Sequence, residues 1–231
     1  MDRWRGYRVR EEILRAGGLE LRLLVPADPD GLLDDPSVQR RFEQDEYMPY
    51  WAKLWPGALL LAEIVGEWPA APGRGPGILV LELGCGVGLV GLVAASRGYR
   101  VTLSDYDEDA LAFAAENARR NRIAIDGVRL IDWRREYPDL RAERIVAADV
   151  LYEARNLEPV ARFVARHLVP GGLALVADAN RTTADAFEAV ARAAALAVTV
   201  QLGEGRRAGE GARVQGRVFH LRHTAGGGGG S

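Results

Sequence analysis

Leu81-Glu82-Leu83-Gly84-Cys85-Gly86-Val87-Gly88 is the stretch on which the fold turns. On its amino side, residues 78–83 are apolar almost without a break, as in a strand covered by helices on both faces. On its carboxyl side, residues 87–97 carry a helical pattern. Glycines between a strand and a helix remove Cβ atoms from the approach to the helix amino terminus, so a ligand there meets bare backbone. The spacing is not the dinucleotide fingerprint G-x-G-x-x-G. Its third position would be Leu89, whereas the third glycine is Gly88. Asp105 follows the next expected strand, twenty-one residues after Gly84, where a carboxylate can accept both hydroxyls of a ribose.

Outward from this loop the chain alternates. Strands are expected at 100–104, 128–131, 144–148 and 173–177, and helices at 108–120, 157–168 and 183–195. Residues 197–202 and 214–222 are two more strands with no helical pattern between them, hence an antiparallel hairpin. The alternation predicts an α/β fold: a Rossmann-like, doubly wound, mostly parallel seven-stranded sheet closed by that terminal hairpin. Toward the amino end, residues 57–68 read as a buried helix stopped by Pro69, and 7–14 and 19–25 read as short strands. The expected organisation is a cap over 1–45, a main domain over 46–223 and a flexible Gly-rich tail over 224–231.

A chain of 231 residues suits one hydrophobic core. With 48% apolar and 27% charged residues it is not a disordered polymer. Thirty basic against thirty-two acidic residues leave a net charge of −2, which disfavours a nucleic-acid partner. Cys85, the one cysteine, cannot form an intramolecular disulfide. Twenty-nine of the basic residues are arginine and only Lys53 is lysine; with the abundance of alanine and glycine, this reads as codon bias. No run approaches the ~20 apolar residues of a membrane span and the amino end lacks an apolar signal core. A cytoplasmic monomer without a membrane partner is expected.

Glu82-x-Gly84-x-Gly86-x-Gly88, joined by Asp105, resembles the cofactor loop of class I, seven-strand S-adenosylmethionine (SAM) methyltransferases. Three flanking stretches narrow the resemblance. Pro49-Tyr50-Trp51-Ala52-Lys53-Leu54-Trp55-Pro56-Gly57 is similar to the "P-(F/Y)-W-A-x-x-W-P-G-G" motif of the protein-lysine methyltransferase group that includes the enzyme acting on the electron-transfer-flavoprotein β-subunit. Here Ala58 stands in place of the second glycine. Asp149-Val150-Leu151-Tyr152 matches that group's (D/E)-x-x-(Y/F) motif. Asp132-Trp133-Arg134 and Ala177-Asp178-Ala179-Asn180-Arg181 resemble its "DWR" and "GDPGR" segments, with Ala179-Asn180 replacing Pro-Gly. The resemblance covers about residues 45–222 and only loosely the first forty-odd.

It implies SAM as cofactor, held by Trp55, Glu82, Gly84, Cys85, Gly86, Gly88, Asp105, Tyr106, Asp132 and Trp133, with Asp132 on the adenine amino group. Asp149 and Tyr152 are the catalytic candidates: Asp149 orients or accepts from an amine and Tyr152 lines the channel. The alternative for Asp149 is a loop-stabilising carboxylate, and for Asp132 a turn former. Trp51, Trp55 and Tyr152 can contact a sulfonium, or the tryptophans can plug the sheet edge. Asn117 reads as structural.

The implied activity is methyl transfer to a protein lysine, with an acidic partner favoured by Arg206, Arg207 and Arg213, which are expected at the site mouth. A small-molecule amine or hydroxyl acceptor and a non-catalytic SAM-binding module are the alternatives. His220 and His223 lack a third metal ligand, and Arg3, Arg5, Arg8 and Arg10 read as a solvated strand edge.

Overall fold

The computed structural model describes residues 3–34, 36–45, 48–71, 77–206 and 213–224. Its centre is a seven-stranded sheet built from β4 (Leu79–Leu83), β5 (Arg100–Asp105), β6 (Gly127–Leu130), β7 (Ala142–Ala148), β8 (Leu168–Asp178), β9 (Leu196–Arg206) and β10 (Arg213–His223). Their order across the sheet is β6-β5-β4-β7-β8-β10-β9. Pairings from β6 through β8 are parallel, and β10 runs antiparallel to both its neighbours, β8 and β9. This is the sheet that the alternation of elements predicts. Strand order reverses between β4 and β7, and in doubly wound sheets a ligand crevice opens beyond the carboxyl ends at such a point.

Both faces are covered. Val80 of β4 and Val146 of β7 belong to one apolar cluster, with α2 (Pro56–Gly66), α3 (Leu89–Ser96) and α4 (Glu108–Arg120). Leu81, Leu83, Ile145 and Ala147 belong to the other, with α5 (Ala154–His167) and α6 (Phe187–Ala193). Alternate side chains thus enter opposite layers, the period-two consequence of a strand. Helix α2 opens with Pro56 in its first turn, where a missing N–H costs nothing, and buries Leu59, Leu60, Leu61 and Val65.

The amino-terminal segment is more than a short cap. β1 (Arg3–Trp4), β2 (Tyr7–Ala16) and β3 (Leu19–Pro26) form a separate antiparallel sheet, followed by α1 (Pro36–Asp45), a helix not expected from the sequence. Asn117 on α4 joins this sheet to the main domain. Its Oδ1 accepts the Leu24 amide at 2.7 Å, while its Nδ2 donates to the carbonyls of Leu24 (3.2 Å) and Val87 (3.0 Å). Val87 lies in the glycine loop, so one fully buried amide ties β3, α4 and the loop together. Two other boundaries differ from expectation. β8 begins at Leu168 because an irregular register near Ala142 lets the strand continue through Pro170-Gly171-Gly172. The 183–195 helix is a 3-10 turn, Thr182–Ala186, and then α6.

An Asn117→Ala variant strands the buried Leu24 amide and the two carbonyls. It is expected to lose about 2–4 kcal/mol in urea unfolding, given about 1–3 kcal/mol for each buried group left unpaired.

Candidate active site

At the carboxyl end of β4, Gly84, Gly86 and Gly88 all take positive φ (68°, 51° and 89°), which glycine adopts without strain. The absence of side chains is a packing requirement too. A Cβ on Gly84 would lie 3.0 Å from Val150 Cγ1, and one on Gly86 3.2 Å from the Trp51 carbonyl oxygen. Two buried carboxylates brace the turn. Asp105, ending β5, accepts the Gly86 amide on Oδ2 (2.8 Å) and the Asp107 amide on Oδ1 (3.0 Å). Glu82 accepts the Gly91 amide of α3 on Oε2 at 2.8 Å. Burial pushes Glu82 up to about 8 and Asp105 up to about 6, the amides they accept pulling partly the other way. The Tyr106 amide also favours the charged form of Asp105, so with three amides on its four acceptor positions the ionised carboxylate keeps one for a ribose hydroxyl.

The 49–55 segment forms the wall above the loop. Trp51 is buried, with ring centroids 5.1 Å from Phe113 and 5.6 Å from Tyr7. It is the plug. Trp55 is half-buried and donates its indole N–H to the Tyr50 carbonyl at 2.8 Å. Tyr50 in turn meets Tyr152 at 4.8 Å between ring centroids. Trp55, Glu82, Gly84, Cys85, Gly86, Asp105, Tyr106, Trp133, Asp149 and Tyr152, ten of the twelve expected site residues, line a single cavity at the switch point.

Gly88 and Asp132 lie outside that lining. Gly88 caps α3, and its missing Cβ makes room for Ala114 of α4 at 3.0 Å, so its spacing serves helix packing. Asp132 lines an adjoining cavity with Tyr106, Trp133 and Tyr152, and its carboxylate accepts the backbone and guanidinium of Arg134. Cys85 is buried, and burial and the neighbouring acids push its thiol up, which excludes a ready nucleophile.

Asp149, just beyond β7, has φ 56° and is 6% exposed. Its Oδ1 accepts from Arg181 Nη1. Its Oδ2 is buried without a hydrogen-bond partner among the described residues, although the Gly57 amide is close enough to lower the carboxyl pKa. A Cβ on Gly57 would collide with Oδ2, so the glycine ending the tryptophan motif makes space for this acid. Burial raises Asp149 above the usual carboxylate range and Arg181 opposes the rise. Tyr152, half-buried, is pushed up to about 12 by burial and stays protonated.

Sequence reasoning passed over Tyr50, which touches both cavities, although it stands inside the quoted motif, and it assigned no role to Arg181. His220 and His223 do not converge: their Nε2 atoms meet Gln201 Oε1 (2.9 Å) and the Leu168 carbonyl (2.8 Å). No group of three metal-ligating side chains exists among the described residues. The backbone of Arg206 and Arg213 pairs beyond the carboxyl end of β8, on the crevice edge of the sheet; Arg207 lies outside the described residues. Arg5 and Tyr7 both contact Asp109 at the amino-terminal sheet. No helix among the described residues is long and apolar enough to cross a membrane.

The profile of a family described as lysine methyltransferase matches residues 37–188. The chain belongs to this family. Among curated proteins it resembles rat histone-arginine methyltransferase METTL23, 30% identical over 146 residues, covering 60% of this chain and 64% of that protein. It also resembles the ubiquinone biosynthesis O-methyltransferase of Rickettsia akari, 25% identical over 103 residues, covering 45% of this chain and 41% of that one. The chain thus spans less than two thirds of these relatives. Among solved structures, the SAM-bound magnesium protoporphyrin IX methyltransferase from Synechocystis shares the fold, with a TM-score of 0.53 at 16% identity over 64% of this chain and 71% of that one.

The loop and Asp105 fit the nucleoside end of SAM: a cradle without Cβ atoms beside a carboxylate that keeps an acceptor position for a ribose hydroxyl. Protonating Asp105 removes an acceptor, so SAM affinity is expected to fall about tenfold between pH 7.5 and pH 5, through the value near 6. Asp105→Asn should bind more weakly and lose this slope. Isothermal titration across that range checks both.

Proposed function

We propose that the protein transfers the methyl group of SAM to a lysine side-chain amine of a protein substrate. The observation that carries this is Asp149, which lines the cavity beside the Tyr50, Trp55 and Tyr152 wall with a buried Oδ2 that meets no side-chain donor and has only the Gly57 amide near it. A carboxylate oxygen can accept two bonds, so this one keeps room for an incoming N–H group. Family membership supports the lysine. A second, small cavity shares Tyr50, Lys53 and Trp55 with the first and reaches Leu33, Met48 and Pro49, and such a lengthened lining supports a polypeptide over a metabolite.

When bound, SAM supplies an electrophilic methyl group on a sulfonium. The chain's residues do the rest by orientation, since an in-line displacement gains most from placing nucleophile and methyl carbon in register. In our reading Asp105 holds a ribose hydroxyl, Tyr106, Asp132 and Trp133 bound the adenine, and the Gly84–Gly86 backbone lets the cofactor approach. The acceptor arrives as an ammonium and must shed a proton before its lone pair can attack. The apolar wall favours the neutral amine, and Asp149 Oδ2 accepts a hydrogen bond that aims it. A new N–C bond forms as the S–C bond breaks, and the amine proton leaves toward Asp149 and water.

Incubation with methyl-labelled SAM and a cell extract, followed by mass spectrometry, is expected to find the label on protein lysines. Label on arginine or on a metabolite would overturn the acceptor assignment. Asp149→Asn should lower transfer about 100-fold or more while SAM affinity stays within about twofold, because acid–base groups typically contribute 10²–10⁴. Undiminished transfer in that variant would remove Asp149 from the mechanism.

A further inference from the structure

One cation beside the cavity serves neither cofactor nor wall directly. Arg181 is not among the cavity-lining residues, and its side chain is only 25% exposed. Its Nη1 is shared between Asp149 Oδ1 and Asp178 Oδ2, the latter at 3.0 Å, and its backbone N–H donates to Asp178 Oδ1 at 2.7 Å. The guanidinium carbon also lies 5.4 Å from the ring centroid of Trp55. The terminal hairpin holds the arginine in turn: Arg217 on β10 donates to the Arg181 carbonyl at 2.7 Å and pairs with Asp185 at 2.7 Å.

We propose that Arg181 is a positioning residue, which fixes the Asp149 carboxylate and the Trp55 indole relative to each other so that the acceptor amine meets an anion of set orientation. This rests on Asp149 being the acid that faces the acceptor. The geometry suits a guanidinium: Nη1 bonds both carboxylates while the planar group behind it lies over an indole, a stacking that the compact ammonium of lysine does not reproduce. Asp149 also holds a left-handed backbone conformation that a non-glycine residue keeps only when its surroundings enforce it, and Arg181 is one such constraint.

The charges around Asp149 say what Arg181 adds. Asp178 faces it from the end of β8, Arg181 from the loop that follows, and the Gly57 amide from α2. Glu82, Asp105, Tyr50 and Tyr152 share its cavity. Lys53, the cation that does line that cavity, is paired with Asp30 at 2.7 Å. Without Arg181, Asp149 and the fully buried Asp178 would repel each other, and burial would favour the protonated, non-accepting form of Asp149.

The test compares wild type, R181Q, R181K and D149N for tritium transfer from methyl-labelled SAM into cell-extract protein between pH 6 and 9, with SAM affinity measured alongside. R181Q is expected to bind SAM within about twofold of wild type, to lose transfer about 100-fold at pH 7, and to move the acid limb of its rate profile upward by about one pH unit. R181K, which keeps the charge and loses the planar group, should lose transfer without moving the limb. A uniform drop with an unmoved limb in R181Q, or unchanged transfer, would overturn the proposal. D149N with full transfer would overturn it together with the assignment of Asp149. A normal loss in D149N beside an unmoved R181Q limb would overturn the role of Arg181 alone.

A second measurement needs no acceptor. In R181Q the fold must bury an unpaired acid whose folded-state pKa lies above its unfolded value, so stability is lost as pH rises. The melting temperature of R181Q should therefore fall relative to wild type as pH rises from about 4, the ordinary carboxylate value, and the R181Q/D149N double variant should not. Parallel curves for single and double variants would again overturn the proposal.

Discussion

The bond from the Gly86 amide to the Asp105 carboxylate joins the ends of two adjacent strands, and much of the site depends on it. It holds the turn in which Gly84 and Gly86 take left-handed conformations. That turn leaves room for the Trp51 carbonyl on one side and Val150 on the other. Trp51 leads to the aromatic wall, and Val150 follows Asp149 directly. A single carboxylate therefore organises the cradle, while burial lifts its pKa to about 6. Glu82 repeats the device one step away, on the Gly91 amide of α3, at a higher cost in ionisation.

The parts legible in the sequence are those governed by near neighbours. Glycines that must take positive φ announce a turn locally, and apolar runs between helical patterns announce parallel strands, so the sheet and ten residues of the cavity lining could be read directly. What was not legible has physical causes. Gly88 has the spacing of a ligand glycine, and the approach of Ala114 to it, on a helix that packs only after folding, cannot be read locally. Pro170-Gly171-Gly172 has turn composition, yet an irregular register carries a strand through it. The Arg181–Asp149 pair spans 32 residues and exists only because β7 and β8 lie side by side, which local composition does not encode. The two tryptophans look equivalent in the motif; Phe113 and Tyr7, far away in sequence, make Trp51 the plug and leave Trp55 as the wall.

Both ends of the chain support the centre. The terminal hairpin adds β9 and the antiparallel β10 to the sheet, and through Arg217 it also holds the loop that presents Arg181. The amino-terminal sheet reaches the cofactor loop from the opposite side, through Asn117 and the Val87 carbonyl. Val87 itself lines the cavity, whereas the Arg217 contact restrains a segment beside it. The precision a methyl displacement needs is thus supplied by layers whose own contacts are plain hydrogen bonds.

The Asn117 clamp also sets an order of events during synthesis. Leu24 and Asn117 are 93 residues apart, so the sheet that carries Leu14, Leu21 and Leu23 leaves the ribosome well before the helix that covers it. At about 5–20 residues per second the interval is roughly 5–20 s, far longer than the microseconds in which a hairpin closes. For that time an apolar sheet face has only itself or other chains to pack against. These strands are made well before they are buried, and they are where a growing chain is most exposed to misassociation.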